Sequence, residues 1–258
     1  MSSVDSVASP FQSPRQHSPR GSEGQKGVAE MGTRLLHVIS TPRGLASNTG
    51  RVSSALLEAI LEQDDDVAVT TLDLFKTDLP SVAGRNIESK YKLMTGQALD
   101  AASLDSWRDI ERTIEQFLDA DIYLLTVPMW NFGIPYALKY YIDAIVQPGY
   151  LFSYTPDGMV EGLVKGRKMI CVTSRGSDYS SEPMKAFDYV ETYLRAIFGF
   201  VGITDIRFFN AQPMDISRDM RMAAQKAAIH EVRDYAASGG WRVDDGQALT
   251  SSSEAVVA

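Results

Sequence analysis

An alternation constrains this chain more than any other feature. Five short apolar runs, each of a length that suits a buried strand, fall at 34–40, 66–73, 122–127, 169–174 and 206–209. Between them, apolar residues recur at helical spacing. The segment 47–63 places Val52, Leu56, Ala59 and Ile60 on one face, and 105–119 does the same with Trp107, Ile110, Ile114 and Phe117. Further helices are expected from Pro135, with Leu138, Tyr141, Ile142 and Ile145 inward, over 182–198, and over 217–237 with Ser217 as N-cap. The polar stretch 74–103 is expected to be loop with a short helix at 87–99. The pair 151–154 and 162–164, joined across 155–158, reads as a small hairpin inserted before the fourth strand. Strands alternating with helices imply an α/β domain of three layers, a doubly wound five-stranded parallel sheet between helices.

The alternation occupies 33–238 and leaves two ends. Residues 1–32 hold seven Ser, three Pro and four Gly with Phe11 as the only aromatic, a composition that predicts a disordered tail. Residues 239–258 open on two glycines and are also expected to be largely disordered, with Trp241 the one residue there able to dock. The 258 residues carry 25 Lys+Arg against 33 Asp+Glu, a net charge of −8, so no nucleic-acid partner and no anionic membrane is expected. A single cysteine, Cys171, excludes a disulfide framework and fits a reducing, cytoplasmic setting. Three scattered histidines give no metal-ligand spacing, so no metal is expected either.

Ligands of doubly wound sheets sit beyond the carboxyl ends of the strands. After the first strand, Ser40 leads through Arg43 to Ser47, Asn48 and Thr49 at a helix start. Free N–H groups there favour an anion by ~0.3–1 kcal/mol from the dipole alone. The segment matches neither the triphosphate loop nor the dinucleotide glycine pattern, which leaves a mononucleotide phosphate, or a plain capped turn. After the third strand, Pro128, Met129, Trp130, Asn131 and Phe132 put flat apolar surface where a planar ligand can lie, or where a core plug would. After the fourth, Ser174, Arg175 and Gly176 form a tight turn that lets backbone approach a ligand. Together the three loops describe a flavin mononucleotide pocket.

In these residues, in the Leu138-Lys139 and Ile142-Asp143 pairs, and in the hairpin with Phe152, Tyr154, Gly162 and Leu163, the chain resembles the FMN-dependent NADH azoreductase and quinone reductase family, which has a flavodoxin-like fold. The likeness runs over about 34–236. It implies that Ser40, Ser47, Asn48 and Thr49 hold the FMN phosphate, that residues 128–132 line the ring system, and that residues 174–176 flank its pyrimidine side. It also implies tightly bound FMN, NADH or NADPH as reductant, quinones or azo compounds as acceptors in a ping-pong order, and a homodimer with its sites at the subunit interface. Phe152, Tyr154 and Tyr179 are the expected rim of the substrate pocket. No catalytic side chain is expected, because the flavin carries the chemistry. Two positions depart from the family: Trp130 stands where Tyr is usual, and Ser177 where a second Gly is frequent. The rival readings are a flavodoxin-like electron carrier without NAD(P)H turnover and a phosphoacceptor domain. The latter needs acidic residues where this chain has Ser40 and Pro128.

Overall fold

A computed structural model describes residues 32–95 and 97–243; the expectation for residues 1–31 lies outside the described residues. The strands of the main sheet are β1 (Arg34–Ile39), β2 (Ala68–Asp73), β3 (Ile122–Pro128), β6 (Lys168–Ser174) and β7 (Asp205–Ala211). The helices are α1 (Asn48–Leu61), α2 (Arg85–Met94), α3 (Ala101–Leu118), α4 (Tyr136–Ile145), α5 (Tyr189–Phe200) and α6 (Arg218–Ala237). All five strands are parallel, in the order β2-β1-β3-β6-β7. β4 (Phe152–Tyr154) and β5 (Val160–Gly162) form an antiparallel hairpin whose second strand lies two residues earlier than the expected 162–164, because Phe152 pairs with Gly162 and the turn is correspondingly tight.

Burial follows from that order. The central strands β3 and β6 are covered on both faces, so their residues from Ile122 to Val127 and from Lys168 to Ser174 are all buried. β2 lies at the edge and buries only Leu72. One core packs α1 and α6 on the sheet through Val52, Leu56, Ile60, Val232 and Ala236. The opposite core holds α3, α4 and α5 through Trp107, Phe117, Tyr141, Leu194 and Phe198.

The helix boundaries differ from the sequence pattern where a cap decides them. α3 begins at Ala101 rather than 105 because the Asp100 carboxylate accepts the Ser103 N–H at 2.8 Å. The single helix expected over 182–198 is instead a short 3-10 turn, Met184–Phe187, followed by α5. Asp188 has a non-helical backbone and its carboxylate accepts from Val190 and Glu191 N–H, so the helix starts after it. α2 ends at Met94, earlier than expected, where the Thr95 hydroxyl bonds back to the Tyr91 and Lys92 carbonyls. Past the last helix, Trp241 is fully buried against the α1 and α6 core, and the Lys168 ammonium donates to the Gly240 carbonyl at 2.9 Å. The packed body therefore continues beyond residue 238.

His37, in the middle of β1, is buried and its Nε2 lies 2.8 Å from the Thr126 hydroxyl. That hydroxyl donates to Ser53 on α1, and Ser53 donates to the Gly50 carbonyl. With Thr126 already donating onward, His37 Nε2 carries the proton and the ring is neutral. Burial lowers the imidazole to about 4 from its ordinary 6.5. Between those values the unfolded chain binds the extra proton, so stability falls as pH drops from 6.5 and is lost by about 4, on the order of 3 kcal/mol. Urea midpoints measured across that window are expected to slope steeply for the native protein and to flatten in His37→Gln.

Candidate cofactor site at the carboxyl edge of the sheet

Strand order reverses between β1 and β3, and helices leave these two strands on opposite faces, which opens a crevice at their carboxyl ends. Ser40 closes its floor: its N–H and its hydroxyl both donate to the Thr126 carbonyl, at 3.0 and 2.7 Å. That hydroxyl is therefore engaged inside the protein. Ser47 is the N-cap of α1, donating to the Gly44 carbonyl and accepting from the Gly50 N–H. Its hydroxyl, too, is committed.

What the first loop keeps free is backbone. Among the described residues the N–H groups of Asn48 and Thr49, the first two of α1, have no acceptor. No acidic residue sits in that first turn, and the neighbouring Arg43 and Arg51 are exposed without an ion-pair partner among the described residues. These are the terms of an anion site. The Thr49 hydroxyl lies 2.5 Å from the Ser174 hydroxyl, which joins the first loop to the third.

Gly50 is what lets this turn close. A Cβ there would lie 2.5 Å from both the Gly44 carbonyl oxygen and the Leu45 Cα, backbone atoms with no room to give. Alanine is the better helix former by about 1 kcal/mol, yet Gly50→Ala is expected to destabilise the protein by about 1–3 kcal/mol through this clash. Denaturant unfolding measures it, and a neutral or stabilising result overturns the packing argument.

The second loop holds its shape by an uncommon backbone. Trp130 and Gly133 exchange both N–H to carbonyl bonds at 2.9 Å, enclosing a two-residue turn. Both central residues are left-handed without being glycine, Asn131 at φ 48° and Phe132 at φ 70°. Asparagine tolerates this region, but for a bulky residue it is strained, and such strain concentrates at ligand sites. Phe132 is 44% exposed, so it is no core plug. Trp130 is half-buried in an aromatic cluster, its ring centre 6.0 Å from Phe75 and 6.4 Å from Tyr136. Phe75, just past β2, meets Tyr136 edge-on at 5.6 Å. Met129 donates its N–H to the Ser174 carbonyl at 2.8 Å, and Pro128 pairs with Ser174 at the end of β3.

In the third loop the Arg175 side chain turns inward: it is fully buried, and its guanidinium donates to Asp188 Oδ2 at 3.1 and 2.6 Å and to the Thr173 hydroxyl at 2.5 Å, which leaves only backbone of this turn to approach a ligand. A charge left alone at such a position costs about 3–5 kcal/mol, and Asp188 is the acid that prevents it. Gly176 lies against Asp215, whose Oδ2 would be 2.8 Å from an added Cβ. Tyr179, half-buried at the same edge, donates its N–H to Gln212 Oε1 at 3.1 Å.

Phe152 and Tyr154 do not join this crevice. α4 runs antiparallel to the strands, so the hairpin that follows it lies at the amino edge of the sheet. There Phe152 packs on Phe200 at the far end of α5, with ring centres 4.8 Å apart. Conversely, the periodicity missed several residues of the site: Phe75, Tyr136, and the Phe187, Asp188 and Tyr189 run. Asp188 followed by Glu191 is a helix-capping spacing and was the readable sign; Phe75 in its polar loop carries none.

A parallel doubly wound sheet with an anion-ready helix start, an aromatic wall and a tight glycine turn at its switch point defines a mononucleotide-binding α/β protein. The chain belongs to the flavodoxin-like fold family, which matches residues 33–236. It is similar to an FMN-dependent NADH:quinone oxidoreductase of Desulfotalea psychrophila, 34% identical over 197 residues covering 75% of this chain and 93% of that protein. A Rhizobium meliloti protein of the same description is 38% identical over 191 residues, covering 74% and 91%. Among solved structures, an FMN-dependent NADH-azoreductase from Bacillus anthracis in complex with FMN superposes with a TM-score of 0.72 at 26% identity, covering 80% of this chain and 98% of that one.

Proposed function

We propose that this protein is an FMN-dependent oxidoreductase that passes two electrons from NADH to quinones or azo compounds. The observation that carries the reading is the pair of unpaired N–H groups of Asn48 and Thr49 at a helix start that Ser174 ties, through the Thr49 hydroxyl and the Met129 amide, to the loop bearing Trp130. Relatives named FMN-dependent NADH:quinone oxidoreductase, each matched over more than nine-tenths of its length, support the same reaction. When bound, FMN supplies the redox chemistry.

The chain's own residues bind, orient and exclude water. The α1 amides hold the phosphate, with Ser40 and Ser47 shaping the loop that presents them. The segment from Pro128 to Phe132 lines the ring, and Ser174, Arg175 and Gly176 flank its polar edge through their backbone. Reductant and acceptor use the same open face in turn, which makes the order ping-pong. Among the described residues no helix is long and apolar enough to cross a membrane. We assign the enzyme to the cytoplasm on a different ground, its single free and buried Cys171, which suits a reducing compartment.

The working unit in this reading is a homodimer. Tyr136, Tyr140, Phe187 and Tyr189 on and beside α4 and α5 are exposed, a run of aromatic surface that a second copy would cover. Because Phe152 and Tyr154 stand at the amino edge of their own sheet, they rim a flavin site only across such an interface, whereas Tyr179 rims its own.

Two measurements test the proposal. The purified protein is expected to show a bound-flavin visible spectrum that NADH bleaches and a quinone restores. Bleaching no faster than that of free FMN sinks the enzyme reading. Asn48→Glu separates the anion site from helix stability, since an acid in a first turn favours the helix but repels a phosphate. FMN affinity is expected to fall at least about tenfold with the melting temperature unchanged or raised.

A further inference from the structure

The Arg175 side chain is too deeply buried to touch a ligand, yet its partners lead back to the ligand-facing turn. Its guanidinium holds Asp188 Oδ2, while Asp188 Oδ1 accepts the Val190 and Glu191 N–H groups and so fixes the start of α5. The first residue of that helix, Tyr189, donates its N–H to the Phe132 carbonyl at 3.0 Å. Phe132 is the strained residue of the left-handed turn, and its ring lies 5.5 Å from Phe187 just before the same helix. A bulky residue at positive φ persists only where its surroundings hold it there. Apart from the mutual bonds of Trp130 and Gly133, the Tyr189 amide is the backbone group that does so among the described residues.

We infer that Arg175 is a positioning residue. Through Asp188 and the first amide of α5, it holds the left-handed turn at Asn131 and Phe132 in the shape the turn presents to its ligand. The inference rests on the flavin reading for what that ligand is, but not for the brace itself. It gives the buried ion pair a task beyond stability, for which such pairs are poorly suited. It also couples the third loop of the site to the second without a direct side-chain contact between them.

Hydrogen exchange on the full-length protein, with and without added FMN, tests the brace. Asp188→Asn keeps a capping oxygen for α5 but removes the charge that holds Arg175, and Arg175→Lys keeps the charge but loses the fork. Both are expected to speed exchange in peptides over 128–135 by about tenfold or more, with strands 122–127 and 168–174 unchanged. FMN dissociation constants are expected to rise by a similar factor. Phe132→Gly removes the conformational strain, so adding Asp188→Asn to it should change exchange in 128–135 by less than about twofold. Equal acceleration across turn and strands, or an Asp188→Asn effect undiminished in the Phe132→Gly background, overturns the inference. A wild-type protein that binds no FMN refutes the flavin reading instead, and the exchange comparison without FMN then judges the brace alone.

Discussion

Two donors on one carbonyl hold the working edge together. Ser40 gives both its N–H and its hydroxyl to the oxygen of Thr126, stitching the end of β1 to β3 where the strand order reverses. The chain leaves β1 toward one face and β3 toward the other, so neither helix can cover the gap above that carbonyl. With the floor fixed there, the α1 start, the Trp130 turn and the Ser174 turn are set at fixed distances around one opening. The Thr49 hydroxyl on Ser174 and the Met129 amide on the Ser174 carbonyl close the ring of loops.

The hydroxyls of this edge are mostly spent on the protein itself. Ser40, Ser47, Ser53 and Thr126 each bond to a neighbouring carbonyl or hydroxyl, as buried polar groups must. What remains outward is main-chain N–H and aromatic surface. This division suits a cofactor that brings its own chemistry: the protein needs donors in fixed places and a flat wall, and neither requires a titrating side chain. The deep lowering of the His37 imidazole belongs to this internal network, buried beneath the crevice floor, rather than to any acid–base step.

How much of this was legible in the sequence depends on what kind of force set each feature. The five strands and the α1, α4 and α6 faces follow from hydrophobic periodicity, which acts locally, and the sequence shows it directly. Loop positions at the carboxyl edge follow from strand ends, so Asn48, Trp130 and Ser174 could be placed together before any coordinates. Arg175 could not, because a charge's fate depends on a partner that folding brings to it, and Asp188 is thirteen residues away on a different element. Phe75 was invisible for the same reason: a lone aromatic in a polar loop has no period, and only the pairing of β2 with β1 carries it to Trp130. The hairpin aromatics show the converse. Family likeness marked Phe152 and Tyr154 as pocket residues, while chain direction puts them at the other edge of the same sheet.

The features that break local rules gather at one edge of an otherwise consistent fold. A phenylalanine at positive φ costs of order 1–3 kcal/mol, and a buried arginine pair returns little stability in exchange for its desolvation. Elsewhere the chain obeys its propensities: apolar strands in the middle of the sheet, an acid capping the start of α3, a serine cap on α6. A fold selected for stability alone would replace Phe132 with glycine and Arg175 with an apolar residue of similar volume. Both are present, and a single backbone amide, that of Tyr189, separates the helix anchored by one from the turn strained by the other. The same few ångströms therefore hold the cost and its restraint, and they do so in the loop that carries Trp130 into its aromatic cluster with Phe75 and Tyr136.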